Sequence, residues 1–90
     1  MLKIVSSNRF KKDLKIALRR GYKIELLEEV VNKLAEGIVL ESKYKDHELS
    51  GEFKGLRECH ITPDWLLIYQ VIDNELVLYL SRTGTHSDLF

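Results

Sequence analysis

Three histidines, His47, His60 and His86, all fall in the second half of the 90-residue chain, in company with Asp64 and Arg82. Their spacing reads His-x12-His-x3-Asp-Trp, then Arg-x3-His-x3-Phe, which takes in Trp65 and the final Phe90. These types suffice for metal-free cleavage of RNA. That reaction needs a base for the 2′-hydroxyl proton, an acid for the leaving 5′-oxygen and a cation for the charge that grows on the phosphate. Imidazole titrates near neutral pH and serves the first two roles, while the forked donors of Arg82 serve the third. Other readings stand beside this one. His60 alone would be an ordinary sheet histidine. His47, His60, His86 and Asp64 could bind zinc, although they lack the short paired spacing of structural zinc sites. Cys59 and His60 are neighbours in a strand and should face opposite ways, against a Cys-His nucleophile pair.

Strands, turns and helices must position these residues. Phe53 to Ile61 and Trp65 to Ile72 read as strands joined by Thr62-Pro63-Asp64, and Glu75 to Arg82 as a third strand after a two-residue Asp73-Asn74 turn. A three-residue loop would set Asp64 across from His60, and a two- or four-residue loop would set Trp65 there. The first arrangement orients the ring, and the second offers a platform for a base. Trp65, Tyr69 and Tyr79, taken singly, are packing residues. Phe90 either pins the chain end or meets a ligand.

Before these strands, Met1 to Val5 is a short apolar run, and Ser6-Ser7-Asn8 supplies capping oxygens for a helix that runs to about Arg20. Its apolar stripe is Phe10, Leu14, Ala17 and Leu18, with Gly21 as the stop. A second helix over about Tyr22 to Glu36 carries Ile24, Leu27, Val30, Val31 and Leu34. The expected fold is α+β: an antiparallel helical hairpin on a mainly antiparallel sheet of about four strands, the whole chain forming one domain.

The charged side chains, 14 basic and 14 acidic, cancel overall but not locally. The first twenty residues hold seven basic side chains and one acidic, a net +6, while residues 21–50 and 51–90 are each −3. A basic stretch of this density can contact phosphates, or simply be a solvated helix face. The lone Cys59 allows no internal disulfide, and no apolar leader opens the chain, so a reducing cytoplasm is expected. The run from Trp65 to Ile72 falls well short of the roughly 20 residues that cross a bilayer as a helix.

Four strings, taken in order, resemble one family: Tyr44-Lys45-Asp46-His47, Gly51 through His60, Pro63 through Tyr69, and Arg82 through Phe90. The chain is similar, over essentially its whole length, to YafQ-type toxins of the RelE/ParE superfamily, the mRNA-cleaving halves of bacterial type II toxin-antitoxin pairs. The resemblance implies a small α+β ribonuclease, monomeric when free, that enters the A site of the 70S ribosome and cuts mRNA there without metal or other cofactor. It implies a cognate antitoxin that wraps the toxin in a larger complex. The family's catalytic positions match His47, His60, Asp64, Arg82 and His86, and its RNA-contacting positions match Trp65 and Phe90. Lys11, Lys12 and Lys15 of the basic helix would add contacts to 16S ribosomal RNA. One departure is Glu48, where many relatives have proline after the histidine; it frees the backbone and adds negative charge near a phosphate site. Two other activities stay open within the superfamily: cleavage of free RNA without the ribosome, and a non-enzymatic ParE-like poison of DNA gyrase.

Overall fold

The computed structural model describes residues 1–90. The first strand and the first helix are joined at Ser7. Its hydroxyl accepts the Phe10 N–H at 2.9 Å, capping the helix, and donates to the Ser81 carbonyl at 2.7 Å, tying the cap to the sheet. Strand β1 is Lys3–Ser6, and helix α1 is Asn8–Arg19. The buried stripe of α1 is Phe10, Asp13 and Ala17, with Leu14 packed beside it. Leu18, expected in that stripe, is 43% exposed, and an acid holds an inward position instead. Helix α2, Ile24–Ala35, starts two residues later than its apolar pattern suggests. Tyr22 is left free of the helix and rests on Trp65, ring centroids 5.0 Å apart.

Five strands, one more than expected, form a sheet of order β1-β5-β4-β3-β2. The others are β2 (His47–Glu48), β3 (Arg57–Thr62), β4 (Trp65–Ile72) and β5 (Val77–Gly84). All neighbours are antiparallel except β1, which runs parallel to β5. The extra strand is the two residues of β2, drawn from a segment that reads as polar connection. It pairs His47 with Glu58 and Glu48 with Arg57.

Three boundaries move for identifiable reasons. The third strand begins at Arg57 rather than Phe53, because Gly51–Phe53 forms a 3-10 turn and Gly55 sits at a φ of 96°, a conformation that suits glycine. The β4–β5 connection is a 3-10 turn, Asp73–Glu75, followed by left-handed Leu76, so β5 starts at Val77 rather than Glu75. At its far end β5 runs past Arg82 to Gly84, where a short helix α3 (His86–Leu89), absent from the sequence pattern, takes over.

Strand β4 is central, as its uniformly apolar sequence requires. Side chains alternate across it. Trp65, Leu67 and Tyr69 join Cys59, Ile61, Leu78 and Leu80 in the cluster under α1 and α2, while Leu66 and Ile68 are buried outside that cluster. The core therefore lies between the helical hairpin and one sheet face, and the sheet's turn end and its C-terminal segment are left to carry chemistry.

Candidate active site

The β3–β4 turn and the C-terminal segment enclose a cleft of about 440 Å³ lined by His60, Asp64 and His86, with Tyr22, Leu66 and Thr85 among its other walls. His86 opens α3, a helix too short to persist unaided. Three interactions hold it. Thr85 and Asp88 form a capping box, the Thr85 hydroxyl accepting the Asp88 N–H at 3.2 Å and the Asp88 carboxylate accepting the Thr85 N–H at 2.9 Å. From α1, Arg20 grips the same carboxylate with both terminal nitrogens, at 2.6 and 3.2 Å. These bonds, Arg20 first and the Thr85 N–H next, hold the Asp88 carboxyl well below the usual carboxylate range. The strand meets this helix at Gly84, where a Cβ would lie 3.0 Å from the Asp88 carboxylate, so a larger residue would displace the pair.

A buried carboxylate missed in the sequence organises the other two histidines. Glu58, 5% exposed, points one oxygen to His47 Nε2 at 3.5 Å and to His60 Nε2 at 3.8 Å. On its other side His47 Nδ1 donates to the Lys45 carbonyl at 2.7 Å, and His60 Nδ1 donates to the Pro63 carbonyl at 3.3 Å. A carbonyl can only accept, which places a hydrogen on Nδ1 in both; the Nε2 atoms face Glu58 and donate to its carboxylate when the rings carry a second hydrogen there. The strand alternation that puts Glu58 and His60 on one face was readable; the pairing of His47 with Glu58 required the unforeseen β2. Replacing Glu58 by Gln keeps the shape and removes the charge. It should slow single-turnover RNA cleavage by about tenfold to a hundredfold with unchanged circular dichroism. An unchanged rate would show that the carboxylate is only structural.

The segment leading to His47 is anchored independently of Glu48. Lys45 takes a left-handed φ of 48°. Next to it, the Asp46 carboxylate accepts the Tyr69 hydroxyl and Arg57 Nη2, the latter at 3.3 Å, and Arg57 Nε donates to the Tyr69 oxygen at 3.3 Å. Burial, then the bond to Asp46, pushes the Tyr69 phenol well above its ordinary value. Glu48 itself is exposed, and its lack of proline's constraint is met by β2 pairing.

Several expected positions lie elsewhere. Neither Asp64 nor Trp65 stands across from His60: the loop has two residues, Thr62 pairs with Trp65, and a register shift at Ile61 places Leu66 opposite His60. Asp64 nonetheless lines the cleft from the exposed turn. Trp65, expected to contact RNA, is 2% exposed, its indole N–H donating to Thr83 Oγ1 at 2.8 Å and its ring packed against Tyr22, so in this structure it sits in the core and presents no open face to a base. Phe90 is 49% exposed and folds back, 5.3 Å from the Phe53 ring and 5.1 Å from the His86 ring. Cys59 is buried with its thiol pushed up to about 12 by burial, which leaves it inert beside His60.

Arg82 is outside the histidine cleft. It lines a neighbouring groove between α1 and the β5–α3 junction, with Lys12 and Arg20. Its Nε and Nη2 donate to Asp13 at 2.7 and 3.3 Å, and the Thr83 N–H reaches the same carboxylate at 3.2 Å. This explains the buried acid on α1. A β5 register shift at Ser81, between the pairs Tyr69–Leu80 and Ile68–Arg82, accompanies the reach of Arg82 back to α1. Lys11, Lys12 and Lys15 are all exposed on that helix.

Comparison with known proteins follows the same lines. Residues 2–90 match the family described as bacterial toxin of type II toxin-antitoxin system, YafQ. The chain is 40% identical over 85 residues to the mRNA interferase toxin YafQ of Escherichia coli K12, covering 93% of this chain and 90% of that protein. Its fold superposes on a metal-bound toxin from Helicobacter pylori with a TM-score of 0.95 at 50% identity over 100% of both chains. It also superposes on YafQ in the E. coli DinJ-YafQ complex with a TM-score of 0.90 at 38% identity, over 100% of this chain and 99% of that one.

Proposed function

Because this chain belongs to the YafQ family of bacterial type II toxins, we propose that it is an endoribonuclease that cuts mRNA in the ribosomal A site and so stops translation. The observation that carries this reading is the convergence of His60 and His86, one from a sheet turn and one from a latched C-terminal helix, on one cleft beside Asp64. Two imidazoles facing one space can hold a proton donor and a proton acceptor on either side of a phosphodiester.

In this scheme the 2′-oxygen attacks phosphorus as a base removes its proton, the bond from phosphorus to the 5′-oxygen breaks, and an acid protonates that oxygen. The products are a 2′,3′-cyclic phosphate, open to hydrolysis to a 3′-phosphate, and a 5′-hydroxyl. His86 is the principal proton-transfer residue. His60 and His47, oriented by Glu58, complete the acid-base set with Asp64. Arg82, clamped by Asp13 through Nε and Nη2 in the groove beside the cleft, retains Nη1 for the charge of the RNA backbone next to the reacting phosphate. Phe90 lies beside His86, with half its surface open to a base. Lys11 and Lys15 contact ribosomal RNA, and Lys12 faces the groove of Arg82.

The chain works as one toxin domain, monomeric when free, and a cognate antitoxin neutralises it. The complex of the E. coli relative with DinJ supports such a partner. No helix is long and apolar enough to cross a membrane, and the proposed action on ribosomes places the protein in the cytoplasm.

Primer extension on an mRNA incubated with the protein, with and without translating ribosomes, tests the reading. Codon-registered cuts that appear only with ribosomes are expected. Cuts on naked RNA at low protein would instead favour ribosome-independent cleavage. Absence of cuts in both conditions from folded protein would turn attention to gyrase.

A further inference from the structure

The groove that holds Arg82 measures about 300 Å³ and shares no lining residue with the histidine cleft: the Arg20–Asp88 pair and Gly84 line the groove, while Thr85 and His86, their neighbours in the chain, line the cleft. Four cations line it: Arg9, Lys12, Arg20 and Arg82. Its two acids are already committed, Asp13 to Arg82 and Asp88 to Arg20. Arg9 and Lys12 have no acidic partner, and they leave the groove with a net charge of +2. The lining contains no aromatic ring and no amide side chain, so nothing there can stack on a base or read its edge. What remains is recognition of charge. A row of uncompensated cations beside clamped guanidinium groups, floored by Ile16, Ala17 and glycine backbone, is chemistry for a phosphodiester.

We propose that this groove is a second phosphate subsite, which holds a backbone phosphate of the substrate RNA strand next to the one cleaved in the histidine cleft. The inference rests on the ribonuclease reading and deepens it. The subsite grips the strand without regard to sequence, on the far side of the latch that carries His86, so that the strand crosses α3 and presents its 2′-hydroxyl to the cleft. The net +6 of the first twenty residues then has a structural focus at Arg9 and Lys12.

The test is binding of a fluorescently labelled oligoribonucleotide, made uncleavable by 2′-O-methyl groups, measured by anisotropy across a salt series. The double variant Arg9→Gln/Lys12→Gln should weaken binding and lower the slope of log affinity against log salt by about 0.7 per lost phosphate contact, hence up to roughly 1.4. Lys3→Gln/Lys33→Gln, which removes the same charge far from the groove, should leave the slope unchanged. Arg9, Lys12 and Lys3 are exposed and Lys33 is half-buried, held by surface ion pairs to Glu29 and Glu41, and thermal melting verifies that neither variant disturbs the core. Equal loss in the two variants would overturn the subsite in favour of diffuse attraction. An unchanged slope with weakened antitoxin binding would overturn it too, and assign the groove to an acidic protein segment. If the unaltered protein binds no RNA at all, the ribonuclease reading itself fails; RNA binding with an indifferent groove variant removes only the subsite.

Discussion

Replacing His86 by alanine should lower the RNA cleavage rate by about two to four orders of magnitude at saturating RNA, while RNA affinity and antitoxin binding change little. The side chain is exposed at the first position of α3 and faces the cleft. The helix that carries it is fixed by Thr85, Asp88 and Arg20, none of which needs the imidazole. The variant should therefore fold as the parent does, which separates loss of chemistry from loss of structure. Single-turnover cleavage with the protein in excess is the direct measurement, and relief of growth arrest on expression is its cellular counterpart. Retention of cleavage within about threefold would remove His86 from the proton-transfer role and with it the reason for placing the reaction in this cleft.

The second large effect concerns stability. Trp65→Ala should cost about 3 to 5 kcal/mol, because it empties a fully packed position in the sheet core and removes the ring against which Tyr22 rests. For a domain of this size each kcal/mol lowers the melting temperature by roughly 4 to 8 °C, so the transition should fall by more than about 12 °C. Trp65→Phe keeps most of the packing and loses the bond to Thr83, whose hydroxyl still donates to the Leu66 carbonyl at 2.7 Å. That variant should melt between the other two and bind RNA as tightly as the parent. A Trp65→Ala protein that melts normally but loses RNA affinity would restore the tryptophan to the binding surface.

The contrast between these two residues shows what the chain makes legible. Alternation and helical spacing report which side chains share a face, and they place α1, α2, β3 and β4 within a few residues. They do not report what lies opposite. The turn falls at Pro63-Asp64, which pairs Thr62 with Trp65, and the register shift at Ile61 then brings Leu66 opposite His60; neither the position of the turn nor the shift leaves a mark in hydrophobic periodicity. The same limit hid Asp13, which looks like one polar residue among many on a basic helix until Arg82, 69 positions later, reaches it. Glu58 was hidden because two residues of polar connection pair as β2. The short α3 was legible in principle: Thr85-x-x-Asp88 is a capping-box pattern, but a helix of one turn has no apolar stripe to draw attention to it.

The pairing of Arg20 with Asp88 has a consequence for the reaction's dependence on acidity. An aspartate whose folded-state pKa is depressed contributes stability that is complete above its unfolded value, near 4, and is lost only as pH falls through the lower folded value. The mount of His86 is therefore constant across the interval from about pH 5 to 8 in which imidazoles titrate. Any bend in a plot of log cleavage rate against pH in that interval reports protons moving on the reacting groups, uncomplicated by detachment of the helix that carries one of them.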